Sequence, residues 1–407
     1  MTAAPHTPDA PSRLWALLAS LTLSSLGIGV SLPIVPLFAL DLGAAPFAVG
    51  LIVSMRWATR LVADIPVGAA SERVGRRAIF TWGIVLIAAS GIASATAPSW
   101  QWLLLSRLLE GIGAGMSSTA GLAAVADLST PATRGRHLSS YQASQRIGFW
   151  FGPLIGGTIG AALNLRMALW AYAVLAILAI LPALFVVESR HRAPSVHASP
   201  MAALGLLARS RDFVLISAVS FVVFFTMTGA QFTALPLLAV DELRLGADFI
   251  GWALFLSNTV GFALLYPSGL ISDRYGRRTI IVALLATVVL GLILMALAAD
   301  AAWILVASLA MGGGNALRGP AMQAYVMDAG RHGGHGATAG AFRAVGDLGS
   351  TLGPIVATAM VGVGFRSFFL VNAAVVALAL VLFWRWASAR PGETDAPAPA
   401  ASLAAGR

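Results

Sequence analysis

The sequence predicts an all-α membrane protein, with twelve spanning helices arranged as two pseudo-symmetric six-helix bundles. Three observations lead to this fold class. Hydrophobic residues make up 58% of the chain and charged residues only 11%, whereas a soluble protein carries roughly 25% charged residues. Apolar stretches recur along the whole length, and about 20 such residues in a helix span a hydrocarbon core of about 30 Å. The second half of the chain also repeats the first.

The apolar stretches set the order of the elements. They predict spanning helices near residues 14–40, 47–70, 78–97, 100–126, 139–162, 167–187, 213–239, 248–271, 279–299, 302–327, 337–363 and 367–387. The chain therefore divides into an N-terminal tail, a first bundle, a linker, a second bundle and a C-terminal tail, at residues 1–13, 14–187, 188–212, 213–387 and 388–407. The polar, proline-rich start of the chain lacks a basic segment, so we expect a tail and not a cleaved signal peptide.

The distribution of arginine predicts how the helices are oriented. All 26 basic residues are arginine. Alternate loops place most of them on one side: Arg73, Arg76, Arg77, Arg134, Arg136, Arg190, Arg192, Arg209, Arg211, Arg274, Arg277, Arg278, Arg331, Arg385 and Arg390. Only Arg166, Arg244 and Arg366 fall on the other side. Because basic loops stay in the cytoplasm, we expect both termini and the linker to be cytoplasmic, in an inner (plasma) membrane.

The same composition excludes several classes of protein. The net charge of +9 is spread over many short loops and forms no contiguous basic patch, so we expect no nucleic-acid partner. The chain has no cysteine, and its six histidines have no ligand spacing, which leaves no predicted metal site. No nucleophile, base and orienting group occur at a recognisable spacing, so an enzyme is not expected.

Internal repetition supports the two bundles. A shift of 201 residues brings matching residues together across three helices and two loops, which chance does not explain. The matching pairs are Gly50 with Gly251, Gly68 with Gly269, Arg73 with Arg274, Gly75 with Gly276, Arg76 with Arg277, Arg77 with Arg278, Asp127 with Asp328, Gly148 with Gly349, Gly152 with Gly353 and Pro153 with Pro354. The chain is therefore a predicted duplication of a six-helix unit.

The loop after the second helix of each half carries a basic motif. Residues 68–77 read GAASERVGRR and residues 269–278 read GLISDRYGRR. Here the chain resembles the major facilitator superfamily, whose loop pattern is G-x-L-A-D-R-x-G-R-[RK]. The first copy departs from the pattern at Ala70 and Glu72. The resemblance extends over all but the two tails, and it implies the major facilitator fold with a cavity between the halves.

The resemblance also implies a role for these loops. By this resemblance, one cluster consists of Glu72, Arg76 and Asp127, and its counterpart consists of Asp273, Arg277 and Asp328. Both clusters would latch the cytoplasmic gate when the cavity faces outward. The remaining motif residues are Gly68, Arg73, Gly75, Arg77, Gly269, Arg274, Gly276 and Arg278. The alternative is a basic turn that only fixes the topology.

The fifth helix carries a glycine motif. Its residues Gly148, Gly152, Pro153, Gly156 and Gly157 match G-x-x-x-G-P-x-x-G-G, the pattern that marks antiporters within this superfamily. Small residues four apart permit close helix contact, and proline permits a kink. The echo in the eleventh helix lacks the closing glycines. This motif favours export over uptake.

Charged residues within the spans are candidates for proton coupling, because charge at membrane depth is costly and marks functional sites. Three acids, Asp64, Glu110 and Asp347, are the candidate proton carriers. The accompanying arginines are Arg60, Arg107, Arg146 and Arg343, with Arg56 and Arg318 as further buried charges. The acids also have arginine neighbours three or four residues away, so simple neutralisation within one helix stays open.

Aromatic and amide residues on the central helices are candidates for the substrate cavity. They are Trp57, Phe149, Trp150, Phe225, Gln231, Phe232, Phe255, Asn258 and Asn315. These side chains suit lipophilic or amphipathic compounds. Together with the antiporter resemblance they predict proton-coupled efflux by a monomer, with the lipid bilayer, a small-molecule substrate and protons as partners and no cofactor beyond the proton gradient. A sugar or metabolite transporter and a non-transporting sensor are the alternatives.

Overall fold

The computed structural model describes residues 10–130, 132–186, 205, 207–317, 319–330 and 335–388. The first half contains six helices, as predicted. They are α1 (Ala10–Asp41), α2 (Pro46–Val74), α3 (Arg76–Ala95), α4 (Trp100–Asp127), α5 (Arg134–Ala162) and α6 (Leu165–Ala183).

The second half follows the same order, but three of its six spans are interrupted. Its helices are α7 (Arg211–Thr226), α8 (Leu235–Asp241), α9 (Ala247–Ala263), α10 (Leu265–Tyr275), α11 (Arg277–Ala296), α12 (Ala301–Leu317), α13 (Pro320–Ala329), α14 (His335–Ala359) and α15 (Phe365–Trp386). A π-helical segment, Met227–Ala234, joins α7 to α8 within one span. Helices α9 and α10 form the next span, and α12 and α13 form the tenth.

The described residues contain twelve spans, which confirms the predicted fold class. Within the described ranges, eight spans are long and apolar enough to cross a membrane on length and composition alone. The other four are α2, α5, α14 and the α12–α13 span. Helices α2, α5 and α14 contain the internal charges near Arg60, Arg146 and Asp347, which lower their hydropathy. This is expected of helices that face a cavity and not lipid.

Glycine produces the two tight connections that the motif loops require. Gly75 joins α2 to α3 with a φ of 108°, and Gly276 joins α10 to α11 with a φ of 87°. Side chains with a Cβ rarely adopt this left-handed backbone. The two halves thus make the same turn 201 positions apart.

The halves are packed alike. In the first, α1 packs on α5 and α6, and α3 packs on α4 and α6. In the second, α7 packs on α14, α11 packs on α12 and α15, and α9 packs on α12. Between the halves, α2 packs on α14 and α5 packs on α9, while α1 contacts α8, α9 and the π segment.

The two ends of this bundle differ in their arginine content. The Arg-rich end contains the α2–α3 and α10–α11 turns at Gly75 and Gly276, together with their arginines. The Arg-poor end contains the α1–α2 and α8–α9 connections. The contacts of α1 with α8 and the π segment lie toward the Arg-poor end.

Most of the predicted linker lies outside the described residues. The same holds for most of the two predicted tails and for Arg190, Arg192, Arg318, Arg331 and Arg390. Positions 68 and 72 are helical, and the side chain of Glu72 lies outside the described part of the structure.

Candidate functional site

Charged residues of the two halves meet between α2 and α14. The guanidinium of Arg343 on α14 lies 3.4 Å from the carboxylate of Asp64 on α2. Arg343 also donates a hydrogen bond of 2.9 Å to the Ser118 hydroxyl on α4, and the Thr119 hydroxyl donates one of 3.1 Å to Asp64. The side chains of Arg343 and Asp64 are 34% and 21% exposed. This ion pair is partly accessible and joins the two halves.

The second acid of this region, Asp347, is almost fully buried on α14, at 4% exposure. Its strongest electrostatic interaction is with Arg60 on α2, followed by Arg343 on its own helix. Its Oδ2 atom is buried and accepts no hydrogen bond from the described residues. Asp347 is therefore held near arginines of both halves.

Together these side chains form a crossed arrangement. Asp64 of the first half pairs with Arg343 of the second, and Asp347 of the second half interacts most strongly with Arg60 of the first. The structure thus shows charge pairing between the halves, in addition to the interaction of Arg343 with Asp347 within α14. We call Arg60, Asp64, Arg343 and Asp347 the inter-half charge cluster.

The third candidate acid, Glu110, lies elsewhere. It is fully buried inside the first half, where Arg56 of α2 lies 2.7 Å from one carboxylate oxygen and Arg107 pairs with the other. Arg107 also donates to the Ser94 hydroxyl, and Arg56 lies over the Trp57 ring at 4.5 Å from its centroid. Sequence spacing identified Arg107 as a neighbour of Glu110, but only the fold brings in Arg56.

Arg146 is half-buried on α5, at the position that the repeat relates to Asp347. The groups that act most strongly on Asp347 are Arg60, Arg343, Asp64 and Arg56, which come from α2 and from α14 itself. The repeat places Arg146 of α5 where α14 has Asp347, so the charge changes sign between equivalent positions of the two halves.

The basic motifs occupy the Arg-rich end, one in each half. Arg76 pairs with Asp127, and Arg277 pairs with Asp328. Arg76 also donates to the Ala123 carbonyl. Asp273 and Arg274 are exposed on the last turn of α10. Each Arg–Asp pair ties the start of one helix to a second helix of the same half.

The glycine motif of α5 brings backbones together. A Cβ on Gly152 would lie 2.5 Å from the Cα of Gly29 on α1, so only glycine permits this contact. Gly148 and Gly156 pack on α1 in the same way, against Ser25 and Val30. Gly157 instead faces the second half, where a Cβ would lie 2.9 Å from the Cα of Gly251. Pro153 is buried inside the same helix. The motif therefore shapes both α1–α5 packing and the contact between the halves.

Several aromatic cavity candidates lie at helix interfaces. The Trp150 ring stacks on Phe262 and Phe255 at 4.7 Å and 6.0 Å between centroids, and its Nε1 donates to Thr259 at 2.7 Å. These contacts join α5 to α9. Phe225 contacts Phe368 on α15 inside the second half. Trp57 and Phe232 are both buried, each 5% exposed. These positions favour packing roles for the rings.

The amide candidates form one continuous chain of hydrogen bonds. Gln231 donates to Ser257 at 3.4 Å, and Asn315 donates to both Ser257 and Asn258 at 3.2 Å. Asn258 donates to the Phe149 carbonyl of the other half at 3.1 Å. The chain runs from the π segment through α9 and α12 to α5.

The π segment is a feature that the sequence did not reveal. Its Gly229 lies against Gly353 of α14, where a Cβ would be 2.7 Å from the Gly353 carbonyl oxygen. The Thr233 hydroxyl donates a hydrogen bond of 2.8 Å to the carbonyl of Thr228, five residues earlier. Bulges of this kind are rare in helices overall, and many of those that occur lie at functional sites. Hydropathy cannot distinguish this segment from an ordinary helix, because both are apolar.

Comparisons with known proteins agree with this architecture. The family model described as Major Facilitator Superfamily matches residues 17–246 and 217–406. The chain is 26% identical to the class C tetracycline resistance protein of Escherichia coli over 360 residues, which is 86% of this chain and 89% of that protein. It is 27% identical to the quinolone resistance protein NorA of Staphylococcus aureus over 176 residues, 43% of this chain and 45% of that protein.

A comparison of structures gives the same fold. The crystal structure of a variant of the peptide transporter POT superimposes with a TM-score of 0.75 at 15% sequence identity, covering 91% of this chain and 93% of that one. At this identity the likeness concerns the fold alone.

Proposed function

The chain belongs to the Major Facilitator Superfamily and is a multi-pass membrane transporter, and we propose that it exports small lipophilic or amphipathic compounds in exchange for protons. The observation that carries this proposal is the ion pair between Asp64 and Arg343, which joins the halves and contains a carboxylate that a proton can neutralise. Transport by alternating access requires the two halves to move against each other around a midplane site.

The proton step follows from the charges of the inter-half charge cluster. With both aspartates ionised, two carboxylates balance two arginines. A proton on Asp64 neutralises its carboxylate, which lies 3.4 Å from the guanidinium of Arg343. The attraction between α2 and α14 is then weaker. The halves can then rearrange. A proton on Asp347 acts in the same way, through its interaction with Arg60.

Two of the three candidate acids suit this role better than the third. Asp64 and Asp347 interact with arginines of the opposite half. Glu110 interacts with Arg56 and Arg107 inside one half and is fully buried. We therefore assign proton exchange to Asp64 and Asp347, and a structural role to Glu110.

Export is supported by the glycine motif of α5 and by the resistance proteins to which the chain is similar. We place the Arg-rich end in the cytoplasm of an inner membrane, since arginine is retained on that side. The amide chain from Gln231 to Asn258 offers polar groups that can orient a substrate.

The proposal is tested by transport into inverted membrane vesicles, with and without an imposed pH gradient. We expect a lipophilic dye to accumulate only when the gradient is present. Asp64→Asn and Asp347→Asn should flatten the pH dependence of that accumulation. Dye movement that ignores the gradient would exclude antiport. Unchanged pH profiles in both variants would remove these residues from the coupling step.

The alternatives give different results in the same vesicles. Accumulation of a labelled sugar without accumulation of dyes would indicate a metabolite transporter. Binding of a compound without any transport, and with no effect of Asp347→Asn, would indicate a sensor.

A further inference from the structure

Two grooves lie at the Arg-rich end, one in each half. The first has a volume of about 350 Å³ and lies between the start of α3 and the end of α6, where Arg77, Trp82, Val85 and Leu184 line it. The second has a volume of about 260 Å³ and lies between the start of α11 and the end of α15. Arg278, Tyr275, Val282 and Trp384 line the second groove. Neither groove has a part in the transport step proposed above.

The two grooves are related by the repeat. Arg77 and Arg278 are 201 positions apart, and each donates one hydrogen bond to a carbonyl at the end of the neighbouring helix, on Leu184 and Trp384. A guanidinium has five N–H donors. Among the described residues one carbonyl accepts from each arginine, which leaves further N–H donors for another acceptor. The Nε of Arg278 is buried and has no hydrogen-bond partner among the described residues.

The position of the grooves corresponds to the level of lipid head groups. Helices α3 and α11 are apolar spans of 20 residues, and Arg77 and Arg278 lie in their first turns. The indoles of Trp82 and Trp384 are both 61% exposed on the outside of the bundle. Tryptophan, tyrosine and arginine at the end of a span are typical of the membrane interface.

The lining of the grooves has the chemistry of an anionic lipid. The residues that line the two grooves include no acidic side chain, so an anion in either groove contacts arginine and no carboxylate of the lining. Val85 and Val282 continue each groove along the apolar part of the helix. Basic pockets between spanning helices bind lipid phosphates in this way.

We propose that each groove binds one anionic phospholipid, with its phosphate on Arg77 or Arg278 and an acyl chain along α3 or α11. The competing view is that each arginine only caps the carbonyl at the end of α6 or α15. If the arginines are only caps, the grooves should bind lipids of any head group equally well.

The test is native mass spectrometry of the purified full chain in detergent, with phosphatidylglycerol or phosphatidylcholine of identical acyl chains. We expect the wild type to retain two molecules of phosphatidylglycerol in preference to phosphatidylcholine. Arg77→Gln and Arg278→Gln should each lose one bound phosphatidylglycerol. Each lost charge should weaken the binding of that lipid roughly fivefold. The matched control for each single variant is Arg73→Gln, which removes the same charge from an exposed position outside the grooves.

Further measurements keep the test decisive. Equal retention of the two lipids by the wild type would overturn the proposal, as would equal loss of phosphatidylglycerol in the control and the groove variants. Arg77→Lys with Arg278→Lys keeps the charge and should retain most of the preference, even if a glutamine variant folds poorly. Competition by glycerol phosphate as effective as by the whole lipid would show a free-phosphate site and exclude the acyl-chain contact.

Discussion

The carboxylate of Asp64 on α2 lies 3.4 Å from the guanidinium of Arg343 on α14, so an ion pair connects the two halves of the chain. Both side chains are partly exposed, and Arg343 also donates a hydrogen bond to the Ser118 hydroxyl of α4. A pair in this place responds to protonation and to any movement of one half against the other.

The first prediction concerns this pair. Asp64→Asn and Arg343→Gln should each lower proton-driven dye transport about tenfold, because each leaves a charge without its counter-charge at the interface. The double variant should be no worse than the poorer single variant, since both singles break the same interaction. Initial transport rates in inverted vesicles measure this. If the two effects multiply, the residues act independently and the pair does not control transport.

Glu110 carries the second prediction. Glu110→Gln should destabilise the protein by about 3–5 kcal/mol, because it leaves two buried arginines without a carboxylate. Adding Arg56→Met should recover part of the loss, since it removes one of the uncompensated cations. Thermal unfolding in detergent is the measurement. The control is Glu242→Gln at an exposed position, and a wild-type melting curve for Glu110→Gln would contradict the structural role.

The third prediction concerns the backbone contact between α5 and α1. Gly152→Ala should cost roughly 1–3 kcal/mol of stability, because the added methyl group would lie 2.5 Å from Gly29 and force the helices apart. Gly135→Ala on the same helix is the matched control, since nothing lies within 4 Å of a Cβ there. Both variants are compared by thermal unfolding and by dye transport. Equal stability and equal dye transport in the two variants would show that the close approach of α5 to α1 is not required.

Trp150 gives the fourth prediction. Trp150→Phe keeps a ring against Phe262 but removes the hydrogen bond to Thr259, so it should cost only about 1 kcal/mol. Trp150→Ala removes the ring as well and should cost roughly 3–5 kcal/mol. Thermal unfolding distinguishes the two. If Trp150→Phe is as damaging as Trp150→Ala, the hydrogen bond and not the ring contact holds α5 to α9.

Parts of the site were predictable because they depend on local sequence. The turns at Gly75 and Gly276 follow from glycine and from the repeat, and both have positive φ. The spacing of Arg107 and Glu110 places them on one face of α4, where they do pair. Each of these predictions needs only residues within one or two turns of a helix.

Other parts depend on how distant segments pack. Spacing within each helix suggested Arg60 with Asp64 and Arg343 with Asp347, but the fold also pairs Asp64 with Arg343 and places Arg60 beside Asp347. Which face of α2 meets α14 depends on the whole interface. The same is true of Trp150, which contacts α9 and does not simply line a cavity.

The sequence by itself therefore determined the membrane class, the twelve spans, the duplication and the two motif loops, because hydropathy, arginine position and glycine spacing are properties of short segments. The tertiary structure alone decided which charges meet across the halves, the enclosure of Glu110 by Arg56 and Arg107, and the π segment at Met227–Ala234. These features result from side-chain contacts between residues far apart in the chain, and an apolar helical pattern is the same whichever neighbours it packs against.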